Sequence, residues 1–447
     1  NLSLTTKVLN RIIEQSKQYH QKSICFVTGV PGAGKTLVGL NIANERHQYD
    51  KQEHAVFLSG NGPLVAVLRE ALVRDEIKRC KGKITKITSK RKVAAFIQNI
   101  HHFRDTYLPP SEQVPAEKVT IFDEAQRAWT KEQTAKFMLK RHVPSWNMSE
   151  PEFLISVMDR HQDWAVIICL IGGGQEIHTG EAGLLAWFDA LRNHFPHWNV
   201  YVSPQISDVE YTQGKTLESL FMGLHLYQEK KLHLSVSLRS FRNEKVSAFV
   251  KSLLDENLPI AQQLYSELSL NYPIVITRSL EKAKQWVQNQ SRGTERYGLI
   301  SSSGAKRLRQ FGIWVQNDIQ AENWFLNDKE DVRSSYFLEE TATEFDIQGL
   351  EIDWAIVAWD ADFRIEKGHF KAYNFKGSSW KIVRKKDAQL YLKNTYRVLL
   401  TRARQGFVIF IPKGCDEDLT RHSSFYDGIY YYLKEIGIKE LCLSEEQ

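Results

Sequence analysis

Short apolar runs alternate with longer amphipathic stretches along this chain, and the alternation predicts an α/β fold with parallel strands. Continuous apolar runs of this length are typical of strands that are buried on both faces of a sheet. A first series lies at SICFVTG (23–29), HAVFLSG (54–60), KVTIFDE (118–124), AVIICLIGG (165–173) and WNVYVS (198–203). Helical pattern or a loop follows these runs, so the first half of the chain is predicted to form one α/β lobe.

A second series of apolar runs begins near residue 231 and has the same character. Its predicted strands are KLHLSVSL (231–238), PIVITR (273–278), YGLISSS (297–303), DWAIVAWD (353–360) and FVIFIP (407–412), with helices predicted at 243–256 and 279–290. Two consecutive series predict two similar lobes, residues 1–215 and 216–447, with their junction near 205–230. Two stretches interrupt the pattern, 138–163 and 361–390, and the second of them is basic and aromatic.

The composition, with 42% hydrophobic residues, is that of a globular protein. The length of 447 residues is usual for two or three domains. No uninterrupted apolar segment reaches about 18 residues, so a transmembrane helix is not expected. The five cysteines are scattered without a CxxC pair, which predicts a cytoplasmic protein with neither a disulfide framework nor a zinc site. The N-terminus lacks an initiator Met and the layout of a signal peptide, so we expect a fragment or a trimmed chain. The net charge of +6 permits nucleic-acid binding without requiring it.

Residues 29–36, GVPGAGKT, match the phosphate-binding pattern GxxxxGK[ST] completely. They follow a predicted strand and open an apolar-periodic stretch, which is the strand–loop–helix context that the pattern requires. Glycines let backbone N–H groups turn toward phosphate oxygens, and the helix N-terminus adds partial positive charge. Lys35 is expected to reach the β- and γ-phosphates of ATP, and Thr36 to bind Mg²⁺. The remaining residues predicted around the phosphates are Gly29, Pro31, Gly32, Ala33 and Gly34.

Two adjacent carboxylates, Asp123 and Glu124, end the predicted strand VTIF. A strand that brings acids to the sheet edge beside a phosphate-binding loop is the expected partner of Mg²⁺. Asp123 would bind the ion, directly or through water, and Glu124 would act as general base for the attacking water. The pair favours hydrolysis of ATP over transfer of a phosphoryl group to a small molecule.

Further motifs resemble those of superfamily 1 helicases, in the order of that superfamily. Residues 123–126 resemble the DEAQ box, Gln175 the glutamine of motif III, and Arg239 in Leu238-Arg239-Ser240 the arginine of motif IV. The stretches TEFDIQGLE (343–351) and VLLTRAR (398–404) resemble motifs V and VI. Together, VTGVPGAGKT, FDEAQRAW, IGGGQEI and LTRARQG resemble the Schlafen-related family of bacterial helicase-like proteins of unknown function.

The resemblance implies two tandem RecA-like lobes with parallel sheets and ATP in the cleft between them. Arg239 and Arg402 would supply cations to the γ-phosphate, although Arg242 is a rival for the first role. Glu351 would accept a hydrogen bond from the ribose, and Gly349 would lie where motif V links ATP to nucleic acid. Some relatives carry a nuclease domain ahead of the motor. Such a domain would be absent from this sequence, and a nuclease domain or partner is a candidate partner.

Two departures from the superfamily pattern bear on function. Motif III commonly has the form GDxxQ, whereas Gly172-Gly173-Gly174 precede Gln175 and the acid is missing. Motif V often has a His where this chain has Phe345. Unwinding of a duplex is therefore less strongly predicted than binding of ATP.

Candidate nucleic-acid contacts follow the second predicted strand and the DEAQ box. Ser59 and Asn61 lie in SGNGP, which resembles motif Ia and suits phosphate binding, although a simple Asn-Gly turn explains it equally well. Trp129 is a candidate for stacking on a base. Basic clusters at 78–83, 86–92 and 384–386 are candidates for a phosphate track, with a solvated surface as the alternative.

These features predict an ATP-dependent motor, a nucleic-acid-stimulated ATP hydrolase acting on single-stranded or partly duplex nucleic acid, with DNA favoured over RNA. The alternative is a clamp that ATP closes on nucleic acid or a protein without unwinding. The missing acid of motif III favours the clamp, and Glu124 with the two arginines favours turnover. A small-molecule kinase or a GTPase is disfavoured, because neither explains motifs V and VI and no NKxD motif occurs.

Overall fold

The computed structural model describes residues 2–30, 32–49, 54–81, 83–141, 143, 146–172, 183–207, 220–235 and 241–441. The chain divides into two compact units, residues 1–65 with 72–239, and residues 66–71 with 240–447. Each unit has a parallel sheet of its own, which confirms the predicted α/β fold with two parallel-sheet lobes. Among the helices of the described residues, none is both long and apolar enough to cross a membrane.

The sheet of the first unit has the strand order β3-β2-β4-β5-β1-β6-β7, and β8 pairs with the end of β1. Every pairing in it is parallel. Its strands are β1 (Lys22–Gly29), β2 (His54–Ser59), β3 (Ile97–Asn99), β4 (Glu117–Phe122), β5 (Ala165–Leu170), β6 (Asn199–Val202), β7 (His225–Gln228) and β8 (His233–Leu234). The central strands are buried along almost their whole length, as the continuous apolar runs predict.

Helices connect these strands and cover the sheet. Those of this part of the chain are α1 (Leu2–Tyr19), α2 (Lys35–Tyr49), α3 (Gly62–Arg79), α4 (Lys86–Phe96), α5 (Ile100–Thr106), α6 (Lys131–Lys140), α7 (Glu150–Asp159) and α8 (Gly183–His194). Helix α2 lies very close to the sheet, because a Cβ added at Gly39 would be 2.9 Å from side-chain carbons of both Ile121 and Leu170. Glycine is therefore required inside this helix by packing rather than by backbone conformation.

The segment after β6 differs from its sequence prediction. KLHLSVSL was predicted to open the second lobe, but β8 pairs in parallel with β1 of the first sheet, and β7 pairs with β6. The described residues 220–235 therefore lie with the first sheet, whereas the sequence interpretation assigned everything after residue 215 to a second lobe. The boundary itself, between residues 215 and 216, falls outside the described residues.

The sheet of the second unit has the strand order β11-β10-β12-β16-β9-β17 and is also parallel throughout. Its strands are β9 (Ile274–Thr277), β10 (Tyr297–Ser301), β11 (Thr341–Thr343), β12 (Ile352–Ala358), β16 (Ala403–Phe410) and β17 (Lys439–Glu440). Its helices are α9 (Phe241–Leu254), α10 (Leu258–Leu268), α11 (Leu280–Gln290), α12 (Ala321–Leu326), α13 (Glu344–Ile347), α14 (Lys386–Leu400) and α15 (Ser424–Ile436). The central strand β12 is buried along almost its whole length.

The basic and aromatic stretch that interrupts the second series forms a separate antiparallel sheet. Its strands are β13 (Phe363–Glu366), β14 (His369–Lys376) and β15 (Ser379–Ile382). Phe363 of β13 stacks on Phe370 of β14 with ring centroids 4.5 Å apart, and Trp359 packs beside both rings. The sequence therefore located this excursion correctly, although its pattern did not predict three paired strands.

Candidate nucleotide-binding site

The loop between β1 and α2 has the backbone that phosphate binding requires. Gly32 and Gly34 have φ angles of 73° and 89°, in the left-handed region that favours glycine. The N–H of Ala33 donates to the carbonyl of Val30, 3.1 Å away, and closes the turn. The predicted strand–loop–helix arrangement is therefore present, and Pro31 is the one residue of this loop that lies outside the described residues.

Strand β8 supports the start of this loop from a distant part of the chain. The N–H of Val30 donates to the carbonyl of Leu234, 3.1 Å away. A Cβ at Gly29 would be 2.7 Å from the same carbonyl oxygen, so only glycine fits there. The hydroxyl of Thr28 and Nδ1 of His233 are 2.9 Å apart and extend the contact. Sequence analysis missed this support, since no local pattern links residues about 200 positions apart.

Lys35 places its ammonium group inside the loop. Its Nζ donates to the carbonyl oxygens of Gly29 and Val30, at 2.7 and 3.2 Å. Thr36 follows directly at the beginning of α2. A cation enclosed by a glycine-rich turn at a helix N-terminus is suited to binding phosphate oxygens.

Asp123 comes from β4, next but one to β1 in the sheet, and meets Thr36 at the carboxyl edge. The hydroxyl of Thr36 donates to the carboxylate of Asp123, at 3.2 Å from Oδ1. The backbone N–H of Asp123 donates to the carbonyl of Leu58. Burial and the neighbouring charge of Glu124 raise the pKa of Asp123 to about 7, against the lowering effects of Thr36 and Lys35. A hydroxyl and a carboxylate at this separation form the oxygen donor set that Mg²⁺ prefers. A divalent cation held there would favour the ionised carboxylate.

Glu124 is fixed by two neighbours that sequence analysis did not assign. Its backbone is in the left-handed region, with φ 51°, an uncommon conformation for a residue with a side chain. The side-chain amide N–H of Gln126 donates to Glu124 Oε2, 2.5 Å away. The Oε1 of Gln126 accepts from the N–H of Gly172, 3.0 Å away. The indole N–H of Trp187, on α8, donates to the carbonyl of Ala125 and fixes the same turn. The fourth letter of the DEAQ box was the signal for Gln126.

Gly172 occupies the position where the GDxxQ pattern has its acid, three residues before Gln175. A Cβ at residue 172 would be 2.8 Å from Glu124 Oε2 and 2.9 Å from Gln126 Nε2. A second carboxylate there would also repel Glu124. The missing acid therefore has a steric and electrostatic reason in this chain. Gln175, predicted to act in motif III, lies outside the described residues.

The residues of motif V surround a short turn in the second unit. Thr343 caps α13, and the carboxylate of Asp346 accepts from both the N–H and the hydroxyl of Thr343, at 2.7 and 2.6 Å. Gly349 has a φ of 78°, which a turn of this kind requires. The carboxylate of Glu351 accepts from Nε of Arg404, 3.1 Å away. The predicted contacts of Gly349 and Glu351 with ATP stay predictions.

Arg402 lies where α14 ends and β16 begins. Its Nε donates to the carbonyl of Val398, 3.1 Å away, and its guanidinium also donates to the hydroxyl of Thr401. These contacts bring the side chain back over the last turn of its own helix, where a cation also offsets the helix dipole. Its predicted role toward ATP stays a prediction. Arg239 lies outside the described residues, as does the side chain of its rival Arg242.

A comparison with protein-family models matches residues 22–413 to the Schlafen group 3 DNA/RNA helicase domain. This chain belongs to that family. The predicted resemblance to Schlafen-related helicase-like proteins is confirmed, since the match spans every motif from the phosphate-binding loop to motif VI and all strands of both parallel sheets except β17.

Several solved helicase structures are similar to this Schlafen group 3 helicase domain at low sequence identity. The Hef helicase domain of Pyrococcus furiosus is 12% identical, with a TM-score of 0.28 over 94% of this chain and 97% of that one. Mss116p, solved with ssRNA and AMP-PNP, is 11% identical, with a TM-score of 0.33 over 95% and 72%. The DUF1998 helicase MrfA, solved with DNA, is 11% identical, with a TM-score of 0.32 over 96% and 48%. No curated protein matches the chain.

The motif Ia candidates of the helicase domain stabilise the start of α3. Asn61 is the N-cap residue, and its side-chain oxygen accepts from the N–H of Leu64, 3.1 Å away. Ser59 is buried, and its hydroxyl accepts from the N–H of Asn61, 3.2 Å away. The Asn-Gly sequence thus begins a helix rather than forming a simple turn. Contacts of Ser59 and Asn61 with nucleic acid stay predictions.

Trp129 packs against a buried ion pair within the first unit. The guanidinium of Arg104 lies 5.0 Å from the centre of its ring and pairs with Glu150 at 3.3 Å. The rings of His101 and Phe137 pack at 5.3 and 5.2 Å, and Glu150 accepts from the Trp129 N–H. The side chain is half-buried in this cluster. Stacking of Trp129 on a base stays a prediction.

Part of the predicted phosphate track in the first unit is engaged within the protein. Arg79 pairs with Asp75 at 2.8 Å, and Lys92 pairs with Glu76 at 2.6 Å. Ser89 donates to the same carboxylate of Glu76, which ties α4 to α3. Lys92 therefore contributes to packing between α4 and α3, whereas Arg79 is paired within α3 itself. Contacts of these cations with phosphate stay predictions.

Proposed function

We propose that this helicase domain hydrolyses ATP and acts as a motor on nucleic acid. The observation that carries the proposal is the hydrogen bond between Thr36 and Asp123, which brings the two predicted Mg²⁺ ligands together beside Lys35 and Glu124. Membership of a DNA/RNA helicase family supports nucleic acid as the partner. Single-stranded or partly duplex DNA is the favoured substrate, and a cytoplasmic location is part of the proposal.

In this proposal, the loop holds the phosphates and the edge of the sheet supplies the base. Lys35 binds the β- and γ-phosphates, and Gly29, Gly32, Ala33 and Gly34 bring backbone groups close to them. Thr36 and Asp123 would hold Mg²⁺, which when bound neutralises charge on the phosphates. The chemistry therefore takes place where β1 and β4 reach the carboxyl edge of the first sheet.

Glu124 accepts the proton of the attacking water in this proposal. Its Oε2 is occupied by the amide of Gln126, so Oε1 is the oxygen that we assign to the water. Gln126 acts as a positioning residue, because it ties the carboxylate to the backbone of Gly172 at the end of β5. The left-handed backbone of Glu124 directs the side chain into this arrangement at a cost in strain.

The motifs after the DEAQ box supply the remaining roles. Arg402 stabilises the charge that develops on the γ-phosphate, with Arg239 as a second cation. Gln175 senses the same phosphate from motif III. Gly349 and Glu351 contact the nucleotide from motif V, with Glu351 on the ribose. A nuclease domain or partner acting with the motor is also part of the proposal.

The second candidate function is an ATP-gated clamp that binds nucleic acid or a protein without unwinding. One observation favours it: Gly172 replaces the acid of motif III, and the contacts around it leave no space for a side chain. Hydrolysis would then reset the clamp instead of driving steps along a strand. Both candidate functions use the same nucleotide site. They differ in whether ATP hydrolysis drives movement along a strand or only opens and closes the clamp.

An ATPase assay followed by an unwinding assay separates these candidates. ATP turnover would be measured alone, with single-stranded DNA and with single-stranded RNA, and Lys35→Ala would be the control without nucleotide binding. The motor predicts stimulation by a strand and ATP-dependent separation of a tailed duplex. Stimulation without strand separation would support the clamp, and nucleotide affinity of Lys35→Ala within about twofold of wild type would contradict the assignment of the loop.

A further inference from the structure

We propose that the three-stranded sheet of β13, β14 and β15 binds the phosphate backbone of nucleic acid. The binding groups are exposed cations on one face of this sheet and on the segment that follows it, Lys376, Lys381, Arg384 and Lys385. The inference rests on the proposed function for the nature of the partner. It adds a surface in the second unit that none of the helicase motifs includes.

The sheet is a firm platform, because its β13 edge is built into the second unit. Ala372 pairs with Phe363 of β13 and both are buried, and Gly428 of α15 lies so close to β13 that a Cβ there would collide with the carbonyl oxygen of Ile365. The indole N–H of Trp380 donates to the carbonyl of Thr420, 2.8 Å away. Cations on a fixed platform lose less conformational freedom on binding than cations on a loose loop.

Among the cations of this region, Arg364 is used in packing, whereas several others are exposed. Arg364 is buried, pairs with Glu366 at 2.8 Å and lies 3.7 Å from the centre of the Tyr373 ring. In contrast, Lys371, Lys376, Lys381, Arg384 and Lys385 are exposed, and no carboxylate of the described residues forms an ion pair with any of them. Their charges are therefore available to a partner in solution.

The register of the hairpin brings two of these lysines together with small polar groups. Lys376 pairs with Ser379 across the turn formed by Gly377 and Ser378, and Asn374 pairs with Lys381. Because side chains alternate along a strand, Lys376 and Lys381 lie on the same face as diagonal neighbours, about 7–8 Å apart. Lys371, five positions before Lys376 on β14, lies on the opposite face and is not part of this surface. Lysines with Ser and Asn beside them are the groups that contact phosphate and sugar rather than base edges.

Nucleic acid fits this surface better than a membrane does. A membrane-binding hairpin would present apolar or aromatic side chains at its tip. Here the tip is Gly377-Ser378, and the nearby aromatic residues Phe375 and Trp380 pack on each other at 5.1 Å. Exposed positive charge without an apolar tip matches a polyanion that is bound along its backbone and without sequence preference.

The test compares two triple variants of the whole chain that carry the same change in charge. The first, called the sheet variant, is Lys376→Gln, Lys381→Gln and Lys385→Gln, in the sheet and the segment that follows it. The control is Lys251→Gln, Lys329→Gln and Lys439→Gln, exposed lysines elsewhere in the second unit that have no ion pair among the described residues. Binding of a labelled single-stranded oligonucleotide is measured against salt concentration, together with ATP turnover in the absence of any strand.

The proposal expects the sheet variant to bind about tenfold or more weakly at low salt, with the slope of log K against log salt reduced by about 2. The control triple should bind as wild type does, and both variants should keep the strand-free ATPase rate. The corresponding Lys→Arg triple should restore binding, because it keeps the charges. Adding Arg384→Gln should weaken binding further.

Equal binding by wild type and the sheet variant would overturn this inference and leave the proposed function standing. An equal loss of binding in the control triple would also overturn the inference. A wild-type protein that binds no strand would overturn both the inference and the proposed function. Binding to vesicles with anionic lipid that is lost in the sheet variant, with strand binding unchanged, would assign the surface to a membrane and overturn the inference.

Discussion

Gly172 lies directly against the carboxylate of Glu124: a Cβ at residue 172 would be 2.8 Å from Oε2. The same glycine donates its N–H to Gln126, which in turn donates to that carboxylate. The position of the proposed base therefore depends on a residue without a side chain, 48 positions later in the sequence.

Gly172→Ala should reduce the ATPase kcat without a matching loss of ATP affinity. The added methyl group has to displace the Glu124 carboxylate or the Gln126 amide, and a misplaced catalytic group can cost about 10²-fold in rate. Steady-state turnover and binding of a non-hydrolysable nucleotide would be measured on the same preparation. Gln126→Leu removes the tether without crowding and should give a smaller loss in the same direction. Wild-type turnover in both variants would show that this contact does not position the base.

Glu124→Gln should retain nucleotide binding and lose hydrolysis. The amide has nearly the same shape as the carboxylate but cannot accept a proton, and loss of a general base costs about 10²–10⁴-fold. Single-turnover hydrolysis with saturating ATP measures the chemical step directly. Turnover near that of wild type would mean that another group acts as the base.

Arg402→Ala should lower kcat by about 10³-fold or more, with a much smaller change in ATP affinity. The reason is that the arginine would act on charge that develops only in the transition state. Arg397→Ala and Arg404→Ala are the matched comparisons, since Arg404 belongs to the same motif and Arg397 directly precedes it. If one of them shows the large loss and Arg402→Ala does not, that residue supplies the cation.

Gly39→Ala should destabilise the first unit, although alanine is a better helix former than glycine by up to about 1 kcal/mol. The new methyl group would be 2.9 Å from carbons of Ile121 and Leu170, and an overpacked core costs about 1–3 kcal/mol. A thermal or urea unfolding transition of the purified protein measures the difference. An increase in stability would show that the sheet has room for the methyl group.

Asp362→Asn should flatten the pH dependence of stability between about pH 4 and pH 8. Burial, followed by the charge of Asp360, raises the pKa of Asp362 to about 8, far above the ordinary value of an aspartate. The folded state then binds a proton that the unfolded state has lost, so this group stabilises the fold at low pH and its contribution falls as pH rises through 8. The change has an upper limit of about 1.4 kcal/mol per pH unit.

Urea unfolding of wild type and Asp362→Asn at several pH values checks this sign. In the variant, the side-chain amide can still bond the hydroxyls of Ser302 and Tyr396, which donate to Asp362 at 2.6 Å. Glu281→Gln, on the exposed surface of α11, is the control for loss of a carboxylate. A wild-type stability that rises with pH by more than that of the variant would contradict the assignment.

The sequence by itself determined the central strands, the phosphate-binding loop and the carboxylates after β4. Buried parallel strands must be continuously apolar, and the loop needs glycine at fixed positions, so both leave a local pattern. The order of the helicase motifs also predicted the family, because each motif is a short run of adjacent residues.

Only the tertiary structure decided which distant residues support that site. Strand β8 contacts Gly29 from 205 positions away, and Gly172 contacts Glu124 across neighbouring strands. The short strands β3, β7, β11 and β17 depend on pairing at sheet edges, and the two to four residues of each are too few to give a period. The cations of the three-stranded sheet also looked alike in sequence, until packing buried Arg364 and left Lys371, Lys376 and Lys381 exposed. Pattern determines what one segment forms, whereas burial and contact depend on what the rest of the chain places beside it.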